Sequence, residues 1–312
     1  MGCSLTRLKA LNAEARKLNK ALLNEYKESP TLALPTTILC VVVLAILIWS
    51  WSAALAGDIP MWLGCVINGL MSYGMFSVIH DASHRAISSN KWVNDGIGTI
   101  GLAFLFPYAP MPILRWLHMQ HHMFTNAKND PDEFTHSSPR WQAPVRWAIF
   151  DGYYMYYYFR YGGQFVKKFM PVFAGYVAVV ALVLGPALYY GYGLEIVVLW
   201  FIPTRIGLLL IDVVFVILPH NPGLVSQEEN PYLATTMRMG WEWLLTPLMV
   251  YQNYHLIHHL YPTVPFYKMH KVWELQKEQL TKHDVSYQTA FGLKPENIEV
   301  HREFRKQAAQ AT

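Results

Sequence analysis

Four stretches of this 312-residue chain are apolar, nearly free of charge and long enough to cross a bilayer, and they leave few folds open. Residues 34–55 carry no charged side chain. Gly57-Asp58-Ile59-Pro60 makes a turn, and residues 61–79 are again uncharged, reaching ~30 Å as a helix. Residues 170–190 and 194–218 repeat the arrangement around Gly191-Tyr192-Gly193. Pro203, Arg205 and Asp212 interrupt the last stretch; ionisable groups at such a depth are costly and face protein or a cavity. Arg205 and Asp212 lie two turns apart on one helical face, and can either pair or serve separately. The expectation is an all-α membrane protein whose four transmembrane helices form two hairpins.

Composition agrees. The chain is 53% hydrophobic and only 15% charged, with 11 Trp and 19 Tyr, which moves it from the soluble towards the membrane class. A net charge of +4 without a basic stripe gives no reason to expect nucleic acid. Cys3, Cys40 and Cys65 are too few and too scattered for a disulfide framework, and no C-x-x-C offers a zinc or iron–sulfur site. Any metal must therefore be held by histidine.

The shorter segments divide the rest. Residues 1–33 read as an amphipathic basic segment, with Arg7, Lys9, Arg16, Lys17, Lys20 and Lys27 between leucines, lying on the membrane surface or simply solvated. They contain no cleavable secretory signal; Met1-Gly2-Cys3-Ser4-Leu5-Thr6 matches a short lipidation pattern, for which coincidence is the simpler reading. Residues 97–106 are apolar but too short to span, and Pro107, Pro110 and Pro112 break them, so a re-entrant or interfacial segment is expected. The run Tyr153–Phe159 reads as an aromatic belt. Residues 34–267 form the membrane catalytic domain, and 268–312 a soluble helical tail.

The chemistry lies in the histidines. His255, His258 and His259 sit at i, i+3 and i+4, so a helix presents all three from one face, and His118, His121 and His122 repeat that spacing. His80 and His84 are four apart, and His220 follows the fourth span. Two spans separate the second group from His220, and no crossing separates the remaining neighbours, so all nine fall on one side of the membrane. The turns on the opposite side carry Asp58 and Glu195 but no Lys or Arg, which makes the histidine side cytoplasmic by the positive-inside rule. Nine imidazoles are too many for one ion and suit two. Imidazole suits zinc, copper, iron or nickel, and a neutral nitrogen shell beside an apolar pocket favours iron and redox work. Asp81, Asp130, Asp132, Asn253, Asp212 and Arg205 are candidates to orient the ligating rings; Asp130 and Asp132 can equally be plain turn residues, which is the simpler reading for Asp132. His136, His270, His283 and His301 read as helix-end residues.

His80-Asp81-Ala82-Ser83-His84, His118-x-x-His121-His122 and His255-x-x-His258-His259 resemble the three histidine boxes of the membrane fatty acid desaturase/hydroxylase superfamily, over residues 60 to 275. Leu218-Pro219-His220 and the run from Gln252 to Pro262 are similar to the carotenoid ring hydroxylase branch. Arg85 stands where those hydroxylases usually have Gly, and Val216, four before His220, where many relatives place a polar residue. The resemblance implies a non-haem di-iron centre with O2 as cosubstrate. It further implies electrons from a ferredoxin or cytochrome b5-type donor with its reductase, and a hydrophobic lipid substrate.

Within that class the reaction could be fatty acyl desaturation or hydroxylation, oxidative decarboxylation to a terminal alkene, or carotenoid ring hydroxylation. A zinc-dependent membrane hydrolase would need one metal and three or four ligands. A non-catalytic membrane metal- or haem-binding protein would bind metal and form no product.

Overall fold

The computed structural model describes residues 17–137, 139 and 141–311; the lipidation pattern and the first basic residues of the N-terminal segment lie outside them. Helices α1 (Leu34–Ala56) and α2 (Met61–Ser83) form the first hairpin, closed by Gly57 at a φ of 81° that favours glycine. Skipping forward, α6 (Gly163–Tyr189) and α7 (Gly193–His220) form the second. All four are long and apolar enough to cross a membrane. None of α6 is buried, whereas α7 packs closely on α2: Gly207 abuts Ser72, and a side chain on Gly69 would collide with Ile206.

Helix α7 is not a plain α-helix. Val197–Phe201 and Asp212–Ile217 are π-helical, and Pro203 and Pro219 follow the two stretches. Pro203 offers no N–H to the carbonyl of Leu199, and Asn68 of α2 donates to that carbonyl instead, at 2.8 Å. Arg205 and Asp212 do not pair. The guanidinium of Arg205 grips Asp151 with two hydrogen bonds of 2.8 and 2.7 Å, because two helical turns put Asp212 ~10 Å away along the axis while Asp151 comes alongside.

Between the hairpins, α3 (Lys91–Leu105) starts at Asn90, whose side chain accepts from the Trp92 N–H at 3.0 Å. That cap places its start at Lys91, several residues before the apolar run. Asn94 donates to the carbonyl of Ala82 at the histidine end of α2, and Gly98 and Gly101 let α3 run down α2 past Ala82 and Met75. Fifteen residues descend ~22 Å to Phe104, whose carbonyl accepts from Trp200 at 3.1 Å. After the Pro107–Pro110 turn, α4 (Met111–Phe124) climbs back. The segment is a helical hairpin that returns to the histidine end it left, the path expected of a re-entrant segment.

Arg85 adopts a φ of 57°, left-handed backbone that costs a non-glycine residue about 1–2 kcal/mol. The departure noted after the first histidine pair therefore sits at a position where glycine is the relaxed choice. Arg85→Gly is expected to raise thermal stability in detergent by about 1 kcal/mol with activity kept; an unchanged or lower melting temperature would show that Arg85 gains more from its surroundings than it loses in backbone strain.

The remaining elements cover the histidine end. Helix α5 (Phe150–Tyr161) packs against α4. Then come α8 (Glu242–Leu248), α9 (His255–Leu260), α10 (Met269–Leu280) and α11 (Ile298–Ala311). The tail is not wholly helical: β1 (Met237–Met239) pairs in parallel with β2 (Tyr287–Thr289), Arg238 facing Gln288. Leu256, Ile257, Met269 and Val272 form the core of this cap. Leu23 and Tyr26 of helical residues 17–27 pack against it, and Thr263 donates to the carbonyl of Lys27 at 2.7 Å. The N-terminal segment thus carries cap contacts as well as its basic face.

Candidate metal centre

The structure brings all nine histidines into one cluster, seven of them buried and His118 and His122 half-buried. Their ligand atoms form two compact sets, His80, His84, His118 and His258 in one and His121, His220, His255 and His259 in the other, each within 4.8 Å. Two nitrogens bound ~2.1 Å from one ion reach at most ~4.2 Å apart, so each set is close to the span of a single ion. His122 lies between them: its Nε2 is 3.2 Å from that of His118 and 2.9 Å from that of His258, and its ring stacks on His259 at 4.2 Å.

Each helix earns its place by register. Positions i, i+3 and i+4 turn His118, His121 and His122 inward on α4, and His255, His258 and His259 on α9. His80 lies in the last turn of α2 and His84 caps it, there anchored by Arg115, which donates to the carbonyls of Ser83 and Ala82 at 3.0 and 2.9 Å. His220 ends α7, with its Nδ1–H on the carbonyl of Val216 at 2.6 Å. Val216 thus serves His220 through its backbone carbonyl and not through its apolar side chain.

The hydrogen bonding argues for cations. His121, His220 and His255 each engage Nδ1 with an acceptor, Asp130 at 2.9 Å, the Val216 carbonyl, and Gln252 Oε1 at 2.6 Å. On neutral His220 and His255 the Nε2 atoms therefore carry lone pairs. Those of His220 and His255 both face Nε2 of His259, at 3.3 and 3.1 Å, and one N–H there can serve only one of them. In the other set, Nε2 of His80 is buried with no partner. Ions would satisfy these lone pairs, so the residues present fit a pair of metals.

Burial, followed by the neighbouring imidazoles, holds His84, His118, His122, His258 and His259 well below the usual histidine range; the neutral ring is the ligating form. His121 differs. Burial would lower it too, but the carboxylates of Asp132 and Asp130 outweigh that and hold it up to about 9. Burial in turn raises Asp132.

The expected orienting residues are only partly those found. Asp130 holds His121, and so does Asp132, at 3.1 Å, which makes it more than a turn residue. Asp81 does not touch an imidazole: one residue past His80 it is turned ~100° around α2, and it accepts from Thr36 at 2.8 Å and from the Phe266 N–H at 3.2 Å. It joins α1 to the cap. Asp81→Ala is expected to leave Thr36 and Phe266 unpartnered and to lower stability by about 1–3 kcal/mol, read as a shorter half-life at elevated temperature, with metal content per folded chain unchanged. Asn253 also points away, to Thr246 at 3.2 Å, and its neighbour Gln252 does the work assigned to it. Asp212 is buried near Thr135, and Arg205 serves Asp151.

Tyr154 was hidden in the aromatic run; its hydroxyl donates to Asp132, and Tyr157 donates to the carbonyl of Asn129 at 2.8 Å. Their three-residue spacing was the signal that one face of α5 looks inward rather than towards headgroups. His136 is half-buried with its ring 5.6 Å from His220. His283 stacks on Tyr232 at 4.2 Å, and His301 bonds Ser286 at 3.0 Å, away from the cluster. An apolar cavity lined by Phe76, Leu114, Phe150, Phe215 and Val216 ends against His80, His118 and His255.

Residues 57–291 match the family model for fatty acid desaturases. The chain is 30% identical to a beta-carotene ketolase of Paracoccus sp. (strain PC1) over 236 residues, 74% of this chain and 87% of that protein. It is 26% identical to a chloroplastic omega-6 fatty acid desaturase of Arabidopsis thaliana over 71% of this chain and 53% of that one. An sn-1 oleoyl-lipid 12-desaturase of Anabaena variabilis matches at 33% over 32% of this chain and 26% of its own length. With three histidine boxes converging at the end of apolar helices, and a family model covering most of its length, the chain belongs to the fatty acid desaturase family.

Proposed function

We propose that this membrane oxidoreductase uses O2 and a pair of iron ions to oxygenate an unactivated C–H bond on the ring of a carotenoid. The observation that carries the proposal is the pair of histidine sets with unsatisfied inward lone pairs at the end of an apolar cavity. Ring oxygenation is favoured over acyl chemistry by likeness along nearly the whole length of the beta-carotene ketolase.

Bound iron would supply the reduction of O2 and the removal of hydrogen from carbon. The protein's own contribution is positioning. Phe76, Leu114, Phe150, Phe215 and Val216 exclude water and hold one substrate carbon against the histidines. The Val216 carbonyl and Gln252 fix the rings of His220 and His255, and the Asp130–Asp132 pair, with Tyr154 on Asp132, keeps the shared proton on Nδ1 of His121. Electrons would come from a ferredoxin or cytochrome b5-type donor with its reductase, on the cytoplasmic face to which the Lys/Arg bias assigns the cluster.

Metal analysis combined with product identification tests this. The purified chain should hold two iron ions, and membranes given beta-carotene under 18O2 should yield a ring product carrying the label. One zinc and no iron would move the chain to the hydrolases. An unlabelled product with a new acyl double bond would establish acyl desaturation, the second reading, which the likeness to the omega-6 desaturase over 71% of the chain supports.

A further inference from the structure

The segment that delivers the third histidine box carries an aromatic surface that the metal centre does not use. Trp241 and Trp243 stack at 6.0 Å, and the ring of Phe291 meets Trp241 edge-on at 5.6 Å. All three are exposed, Trp243 at 75% and Phe291 at 68%, and Leu248 and Leu293 extend the patch at 60% and 71%. This much contiguous apolar surface is rare where protein meets water.

Two observations say what covers it. The first is the make-up of α8. Leu245 and, just past the helix, Met249 pack inward with Val214 and Leu218 of α7, while Trp243 and Leu248 point outward. A short helix apolar on both faces belongs in an apolar medium. The one charged side chain of α8, Glu242, accepts from the N–H of Gly240 at 2.6 Å. The second is depth. The carbonyl of Leu248 accepts from the hydroxyl of Tyr73 at 2.7 Å, and Tyr73 lies two turns, ~10 Å, below His80 along α2. Further down α2, Leu70 and Val66 are exposed on the spanning surface. The patch is therefore continuous with the lipid-facing side of the spans.

The tail side is held rigidly. Arg238 of β1 donates to the carbonyls of Ala290 and Gly292 at 3.1 and 2.8 Å and also bonds Gln288, which fixes the loop presenting Phe291 and Leu293. We propose that Trp241, Trp243, Leu248, Phe291 and Leu293 form an interfacial anchor seated in the headgroup and upper acyl region of the bilayer. It secures both the segment leading to His255 and the C-terminal tail to the membrane. Tryptophan is the side chain suited to that boundary, with an apolar body and one N–H for the wet side.

The test uses the full chain in nanodiscs holding one copy each, with no electron donor present. Cys3→Ser leaves only Cys40 and Cys65, both buried. Trp243→Cys and, separately, Phe291→Cys are labelled with an environment-sensitive fluorophore, and Lys282→Cys on the charged face of the tail is the control. Phosphatidylcholine labelled with doxyl at acyl carbon 5 should quench the 243 and 291 sites at least threefold more than the 282 site. It should also quench both more than the carbon-12 label does. Quenching at 243 and 291 no greater than at 282, with water-like emission, overturns the anchor and marks the patch as a surface for a protein partner or a second copy. Stronger quenching by the carbon-12 label overturns the interfacial depth.

Discussion

Replacing His258 by alanine is expected to abolish turnover, by more than ~100-fold, and to lower bound metal while the chain still inserts and folds. His258 has a place in both halves of the cluster. It belongs to the set with His80, His84 and His118, and also to a group with His122 and His259. Its Nε2 lies 2.9 Å from that of His122, and its ring is 4.3 Å from His80. Removing it opens one set and releases the imidazole that stands between the two. Metal content by mass spectrometry and product formation should therefore fall together. Retention of most activity would take His258 out of the ligand set. His283→Ala is the matched control, since that ring lies on half-buried Tyr232 at the edge of the cap and touches none of the nine. His136, half-buried with its ring 5.6 Å from His220, is no neutral control.

Gln252→Leu is expected to lower activity and metal affinity by about 10–100-fold, whereas Asn253→Ala changes either less than about threefold. The contrast is sharp because the two residues are neighbours. Gln252 accepts from Nδ1 of His255 at 2.6 Å, and this bond sets which nitrogen faces the cluster. Leucine has similar bulk and offers no acceptor, so His255 is free to rotate or to place its proton on Nε2. Gln252→Glu restores an acceptor and should recover much of the loss, a rescue that a merely packing role would not give. Asn253 donates to Thr246 at 3.2 Å and also bonds the Tyr254 hydroxyl, and it touches no imidazole of the cluster. Equal losses from both single substitutions would refute a specific bond to His255 and indicate a general disturbance of the turn before α9.

That turn is itself under tension. Val250 and Tyr251 hold φ values of 44° and 65°, and a β-branched residue in this region is a genuine outlier. The two contorted residues swing the chain from α8 into the helix that carries three of the nine histidines. Strain is stored next to the site whose rings it aims.

Much of the architecture follows from local chemistry. Uncharged runs of bilayer length specify spans because an unpaired backbone in lipid is too costly. The i, i+3, i+4 histidine spacing specifies an inward face because the helical period is fixed. Counting crossings expects the nine imidazoles on one side, and they stand in one cluster. The hairpin of α3 and α4 was legible for the same reason, from an apolar run too short to cross and ended by prolines.

What sequence spacing does not contain is the partner across the fold. Asp81 looks like an orienting residue because it stands between two ligands, yet its place on the helix turns it to Thr36 and Phe266. Arg205 has an acid two turns away on its own helix and chooses Asp151, 54 residues distant. Asp132 and Tyr154 become functional neighbours only because α5 folds back over α4. Local periodicity alone determined which side chains face the centre. Which groups hold them there, and which face of α8 and the tail meets lipid, was decided by tertiary packing, since a hydrogen bond or an apolar contact needs two surfaces and the sequence orders only one of them.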